Sequence, residues 1–176
     1  AAIQLARALG ARSIATSRKD AKLAAVHALG LGLGADDGVA CPEPTFAPRV
    51  AQLTGGRGAD VVLDTVGAAY FEENVRAVAP KGTIVLIGTL GGGTGKAPIT
   101  MMLGKRVTVI GTVMRARALE EKIALARAAA AELVPLFERG LVRPVIDRVY
   151  PMAELAAAHA RMEADDNVGK LVLAWA

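Results

Sequence analysis

Cysteine, aromatic residues and long apolar runs are all scarce in this sequence. Cys41 is its one cysteine, which excludes an intrachain disulfide and any multi-cysteine zinc cluster within these residues. Aromatic side chains contribute 3% of the chain against 53% hydrophobic residues, so a core must be built from Ala, Val, Leu and Ile. That composition suits helices packed on a buried parallel sheet and argues against an all-β sandwich. No stretch approaches the roughly 20 uninterrupted apolar residues of a membrane span, and no basic-then-apolar leader pattern is present. The expectation is a cytoplasmic protein without a membrane partner. The two histidines, His27 and His159, fall in helix-patterned segments, where packing or exposure explains them better than proton transfer.

Positive charge is in modest excess: 21 Lys and Arg against 17 Asp and Glu, a net charge of +4 and a pI near 9.5. The cations are scattered among acids and are not interleaved with aromatics, which reads as a solvated surface rather than a nucleic-acid interface. A chain of 176 residues holds one domain with a full core plus a short appendage.

The apolar pattern alternates between helix and strand. AAIQLARALGA opens as a helix already in progress, with Ile3, Leu5, Ala6 and Leu9 and a stop at Gly10. Ser13 to Thr16 then reads as a buried strand, Asp20 to Leu29 as a helix, Val39 to Cys41 as a weak strand and Phe46 to Leu53 as a helix. Asp60 to Asp64 is a strand and Tyr70 to Ala79 a helix. Thr83 to Ile87 is the clearest strand, apolar on both faces and therefore expected to be covered on both, with turn chemistry ahead of it in Pro80-Lys81-Gly82. Arg106 to Val113 is another strand, and Leu119 to Arg139 a long Ala-rich helix. Repeated βα units of this kind predict an α/β, Rossmann-like, doubly wound parallel sheet. Beyond Gly140, Val145 to Tyr150, a helix from Pro151 and Lys170 to Ala174 form a unit too small to be a domain. The patch LGLG at 31–34 is a brief low-complexity stretch.

Three strand ends carry chemistry. In a doubly wound sheet the end of the second strand meets the adenosine ribose of a dinucleotide, where an acid bonds the ribose hydroxyls and hydroxyls with cations suit a 2′-phosphate. Ser17, Arg18 and Lys19 stand there, with Lys22 one helical turn on, which favours NADPH over NADH. The alternative is a plain helix start, capped by Ser17 or Asp20 with its cations solvated. Asp64-Thr65-Val66-Gly67 ends the next strand on the rim where ligands bind, although Asp64 could equally cap the following helix. Gly88, Thr89 and Leu90 follow Ile87 at a third strand end, where glycine permits close backbone approach to a ligand. The glycine runs at 55–58 and 91–95 do not stand between a first strand and first helix, so neither is taken for a phosphate loop; each reads as a flexible turn.

AAIQLARALGA, GADVVLDTVG, FEENVRAVAPKGTIVLIGTLGGG and RVYPMAELAAAHARMEADDNVGKLVL together resemble the cofactor domain and C-terminal tail of the medium-chain dehydrogenase/reductase superfamily. They are most similar to its zinc-independent NADPH:quinone oxidoreductases. The likeness spans essentially the whole chain, and Asn167-Val168-Gly169-Lys170 is its most specific piece. The resemblance implies an incomplete dinucleotide-binding domain over 1–139 and, over 140–176, a segment that would pack on an absent GroES-like catalytic domain. It implies direct hydride transfer from NADPH to a quinone or enone, without metal. The tip around Lys22 would hold the adenosine phosphate, and the backbone after Asp64 and Gly88 would line the nicotinamide side. Asn167, Gly169 and Lys170 would close over the cofactor, and Arg115 would approach it. Cys41 stands where relatives place a tyrosine against the adenosine. Catalytic residues are not identified. The resemblance also implies a homodimer through the 106–113 strand.

By the same resemblance the first strand and glycine loop lie upstream of Ala1, and that strand would sit between those at Ser13 and Val61. Its absence predicts a gap of about 10 Å, twice the interstrand spacing, with two unpaired edges. The expected outcomes are aggregation, swapping, or direct pairing of the flanking strands, with the isolated chain inactive. Two other functions stay open from the residues alone. A methyltransferase using S-adenosylmethionine would want a carboxylate where Ser17-Arg18-Lys19 stands, and a non-catalytic nucleic-acid binder would show steeply salt-dependent binding.

Overall fold

The computed structural model describes residues 1–29 and 34–175; the LGLG patch lies outside the described residues apart from Gly34. Helices α1 (Ala2–Ala8), α2 (Asp20–His27), α3 (Ala47–Leu53) and α4 (Ala68–Ala77) alternate with strands β1 (Ile14–Ser17), β2 (Asp37–Ala40), β3 (Ala59–Asp64) and β4 (Val78–Leu86). Helix α5 (Ile99–Lys105), strand β5 (Thr108–Gly111), helix α6 (Leu119–Glu138), strand β6 (Ile146–Pro151), helix α7 (Leu155–Glu163) and strand β7 (Lys170–Ala174) complete the chain. Every strand pairing is parallel: β1 with β2, β4 between β3 and β5, and β6 with β7. Parallel strands need crossovers, and the intervening helices supply them. The fold is therefore α/β and Rossmann-like, as the sequence predicts.

Strands β1 and β3 do not pair with one another, so the first two strands and the next three remain separate sheets. Of the outcomes expected for this boundary, direct pairing is not adopted. A shared core cluster joins the two sheets instead. Val39, Cys41, Phe46, Ala47, Val50 and Ala77 are buried together, with Ile14 of β1 and Ala59 of β3 packed against them. The amide of Ala47 donates to Glu73 Oε2 at 2.8 Å, so an α4 carboxylate satisfies an N-terminal donor of α3.

Several sequence expectations need correction. Helix α4 stops at Ala77 rather than Ala79, and β4 starts at Val78, upstream of the expected turn. The turn chemistry is real but acts as a bulge: Ala59 pairs with Val78 and Val61 with Thr83, so the residues between are extruded, with Lys81 at φ +64°. Helix α4 ends where Lys105 Nζ donates to the carbonyls of Val75, Arg76 and Val78 at 2.9, 2.7 and 2.7 Å. This closes its last turn, and burial holds the ammonium below the usual lysine range. Helix α5 is absent from the sequence reading. Its Arg106 C-cap is left-handed, which delays β5 to Thr108 and shortens the expected eight-residue strand.

The expectation that β4 is covered on both faces fails. Ile84 is fully buried beside Val75 and Val78, with Val62, Met101 and Met102 packed on them. On the opposite face Thr83 and Val85 of β4 are only half-buried and Ile87 is 41% exposed, and the flanking strands expose Val61 (62%) and Leu63 (50%) of β3 and Ile110 (47%) of β5. Helix α6, the longest element, buries only Leu136 and does not shield that face. Apolarity on both faces of a strand reports the surface it can bury, and here one helical layer, α4 with α5, does the burying.

Candidate functional site

The ends of β3 and β4 form one continuous backbone structure. Asp64 is 4% exposed, and its Oδ1 accepts from the amides of Val66 at 2.7 Å and Gly67 at 3.0 Å. Its Oδ2 accepts from Asn74 Nδ2 at 2.8 Å. This is an Asx-type turn one step ahead of α4, and it uses both carboxylate oxygens. Asp64 therefore shapes the rim, and the backbone after it is what faces outward. Helix α4 itself has Gly67 as its N-cap, without a side-chain cap.

The glycine run after β4 is strapped to this turn. Leu90 N donates to Thr65 O at 3.2 Å, Gly91 N to Val66 O at 2.7 Å, and Ala68 N to Gly92 O at 2.9 Å. A Cβ on Gly91 would come within 2.7 Å of the Val66 side chain, and one on Gly88 within 2.7 Å of Thr65 O. The run is an exposed turn, as the sequence suggests, but one pinned at Gly91 and Gly95, with open space at Gly93. Gly67, Phe71, Leu86, Gly88, Thr89 and Lys96 are among the residues that line a hollow of about 170 Å³ between the two loops.

The end of β1 is built differently. Ser17 Oγ accepts from Lys19 N at 3.1 Å, folding the tip over before α2 begins. Arg18, Lys19 and Lys22 all face the turn between α7 and β7. Lys19 Nζ donates to Ala164 O at 3.3 Å, Asp165 O at 2.7 Å and Asp166 Oδ1 at 3.0 Å. Lys22 pairs with Asp165 Oδ1, and an Arg18 nitrogen lies 3.9 Å from Asp165 Oδ2. The Lys22 hydrogen bond holds the Asp165 carboxyl below its ordinary range, with the Lys22, Lys19 and Arg18 charges adding to the effect.

That tail turn is fixed from behind. Arg161 Nε donates to Asp147 Oδ2 at 2.7 Å, and the Val168 amide donates to Asp147 Oδ1 at 3.0 Å. These contacts hold the Asp147 carboxyl below its usual range, the arginine first and the amide second. Asn167 Nδ2 donates to Gly169 O at 2.8 Å. Gly169 sits at φ +106° with Val145 O where a Cβ would project, so glycine is required there. Lys170 opens β7, its amide donating to Val145 O at 2.8 Å. The structure thus brings Arg18, Lys19 and Lys22 together with the tail turn at 164–166, with Ser17 folded against Lys19, and Gly67 and Gly88 together with Thr89. Arg115 is exposed on the loop after β5.

Tyr70 is the residue that sequence reasoning missed. Its hydroxyl lies 3.8 Å from Cys41 Sγ and its ring packs against Phe46 at 5.3 Å. Burial, then the Cys41 contact, pushes its phenol up to about 12. Helix α4 thereby delivers a tyrosine to the corner where the sequence places only Cys41. Its position one turn into α4 could have signalled this; the pairing across 29 residues could not.

The cations, the hydroxyl of Ser17 and the glycine backbone suit a phosphate-bearing dinucleotide, because guanidinium and ammonium donors match phosphate oxygens. A metal is another matter. Among the described residues no three His, Cys, Asp or Glu side chains come together as ligands.

Comparison with known proteins gives these features a family. Residues 33–173 match the family model of the zinc-binding dehydrogenases. A quinone oxidoreductase of Pseudomonas aeruginosa is 34% identical over 98% of this chain and 51% of its own length. A highly reducing polyketide synthase of Cordyceps militaris is 32% identical over 98% of this chain, which is 7% of that protein. Among solved structures, an NAD-dependent alcohol dehydrogenase superposes with a TM-score of 0.80 at 34% identity, covering 98% of this chain and 46% of that one. A mycobacterial protein in complex with NADPH does so with 0.78 at 30%, covering 97% and 52%. This chain spans about half the length of the dehydrogenases and oxidoreductases it matches. It belongs to the zinc-binding dehydrogenase family, in the quinone oxidoreductase branch of the medium-chain dehydrogenase/reductase superfamily.

Proposed function

We propose that the chain is the cofactor-binding portion of an NADPH-dependent reductase that passes hydride to a quinone or another enone without zinc. The observation that carries this reading is the cluster of Arg18, Lys19 and Lys22 at the end of β1 beside Ser17. A 2′-phosphate brings charge that these donors match, whereas an unphosphorylated ribose would call for a carboxylate there. The bound nicotinamide supplies the hydride. The residues of this chain bind and orient: Ser17, Arg18 and Lys22 anchor the adenosine end, while the backbone of Val66, Gly67, Gly88, Thr89 and Leu90 borders the nicotinamide end. Asn167, Gly169 and Lys170 lie in the tail that closes the adenosine side, and Arg115 approaches from the β5 loop.

In this reading residues 1–139 belong to a dinucleotide-binding domain and 140–176 to a segment that packs on a catalytic domain outside this chain. The substrate pocket lies largely in that domain, so the chain alone is inactive. The test is thermal melting with NADPH, NADH and S-adenosylmethionine added separately at equal concentration. NADPH should raise the midpoint most; a larger shift with S-adenosylmethionine would place the chain among methyltransferases instead.

A further inference from the structure

We propose that Asp165 and Asp166 tune cofactor preference by competing, as built-in carboxylates, with a nucleotide 2′-phosphate for Arg18, Lys19 and Lys22. The proposal rests on the reading of the β1 end as an adenosine 2′-phosphate site. The competition is geometric. An ammonium group has three donors, and those of Lys19 already reach two tail carbonyls and the Asp166 carboxylate. Lys22 and Arg18 share the two oxygens of Asp165. A phosphate that took these cations would have to displace the carboxylates that already pair with them.

The tail turn is also held independently of the cations. Asp147 ties Arg161 to the Val168 amide, and Gly169 fits closely over Val145, so the turn presents its carboxylates whether or not the tip engages them. The contacts are solvent-accessible, with side-chain exposures of 53% for Asp165 and 61% for Asp166. Such pairs exchange readily and are screened by salt. Three cations against two carboxylates leave the tip only one net positive charge for an incoming phosphate. Affinity for a 2′-phosphorylated nucleotide is thereby muted without touching the rest of the site.

The test compares the chain with its Asp165→Asn/Asp166→Asn variant by calorimetry at low salt, using 2′,5′-ADP and 5′-AMP as probes. Asn tolerates the left-handed backbone of residue 165, at φ +55°, so the turn is preserved, and an unchanged far-ultraviolet circular dichroism spectrum verifies it. The variant should bind 2′,5′-ADP about tenfold more tightly, as expected for the removal of several competing exposed ion pairs, with 5′-AMP unchanged and the gain shrinking at high salt. Equal preference for 2′,5′-ADP over 5′-AMP in both chains overturns the competition and leaves the phosphate site standing. Equal tightening of both probes also overturns it. If neither chain distinguishes the probes, the phosphate site itself is wrong and the competition falls with it.

Discussion

Replacing Asp64 with Ala is the most exacting test of how the rim is held. The carboxylate accepts three hydrogen bonds, from Val66 N, Gly67 N and Asn74 Nδ2, and both Asp64 and Asn74 are buried. Hydrogen bonds to a charged acceptor contribute about 1.5 to 3 kcal/mol each, and water entering the vacated space recovers part of that. The net loss should be about 3 to 5 kcal/mol, a large share of the roughly 5 to 15 kcal/mol typical of a domain. Asn74→Ala leaves Asp64 with two of its three donors and should cost about 1 to 2 kcal/mol. The two changes should not add. Asp64→Ala strands a buried amide that Asn74→Ala removes, so the double variant should lose about 1 to 2 kcal/mol less than the sum. Urea unfolding midpoints at constant slope measure all three. A loss below about 1 kcal/mol for Asp64→Ala, or strict additivity, would refute the assignment of Asp64 as the organiser of the rim.

Gly67→Ala should be similarly severe. Its φ is +82° and a Cβ would stand 2.8 Å from Gly92 O, so the loops must part, at a cost of about 2 to 3 kcal/mol read from the same unfolding curves. The carboxyls of Asp36, Asp147 and Asp165 all sit below their ordinary range. For depressed acids the stabilisation is complete above the unfolded pKa near 4 and disappears as pH falls through the lower folded values. A pH series of melting midpoints should therefore show no decline from these groups above about pH 5; a decline beginning at pH 6 would assign acid sensitivity elsewhere. If the β5 edge pairs two copies, Val109→Lys should halve the sedimenting mass, and an unchanged sedimentation coefficient counts against the dimer.

Local signals were legible and distant ones were not. The alternation of helices and strands followed from apolar period and glycine stops, because those features are properties of a few neighbouring residues. The ends shifted where a tertiary contact intervened, as when Lys105 closes α4 and the 80–82 bulge lets β4 begin early. Helix α5 escaped because seven residues with exposed Ile99 and Leu103 carry little periodic signal. At the site, the cations of the β1 tip were evident from position alone. Their pairing with Asp165 and Asp166 spans more than 140 residues of chain, and no spacing rule anticipates it. Glycine 91 looked like slack in the sequence, whereas its packing against Val66 requires the folded rim to be seen.

If the end of β1 selects a 2′-phosphate, the chain discriminates between NADPH and NADH, and calorimetry of both nucleotides in one buffer gives the two dissociation constants. Tighter binding of NADPH, with the difference lost in Lys22→Gln, is the predicted result. A preference for NADH by about tenfold, roughly 1.4 kcal/mol in the wrong direction, would contradict the account.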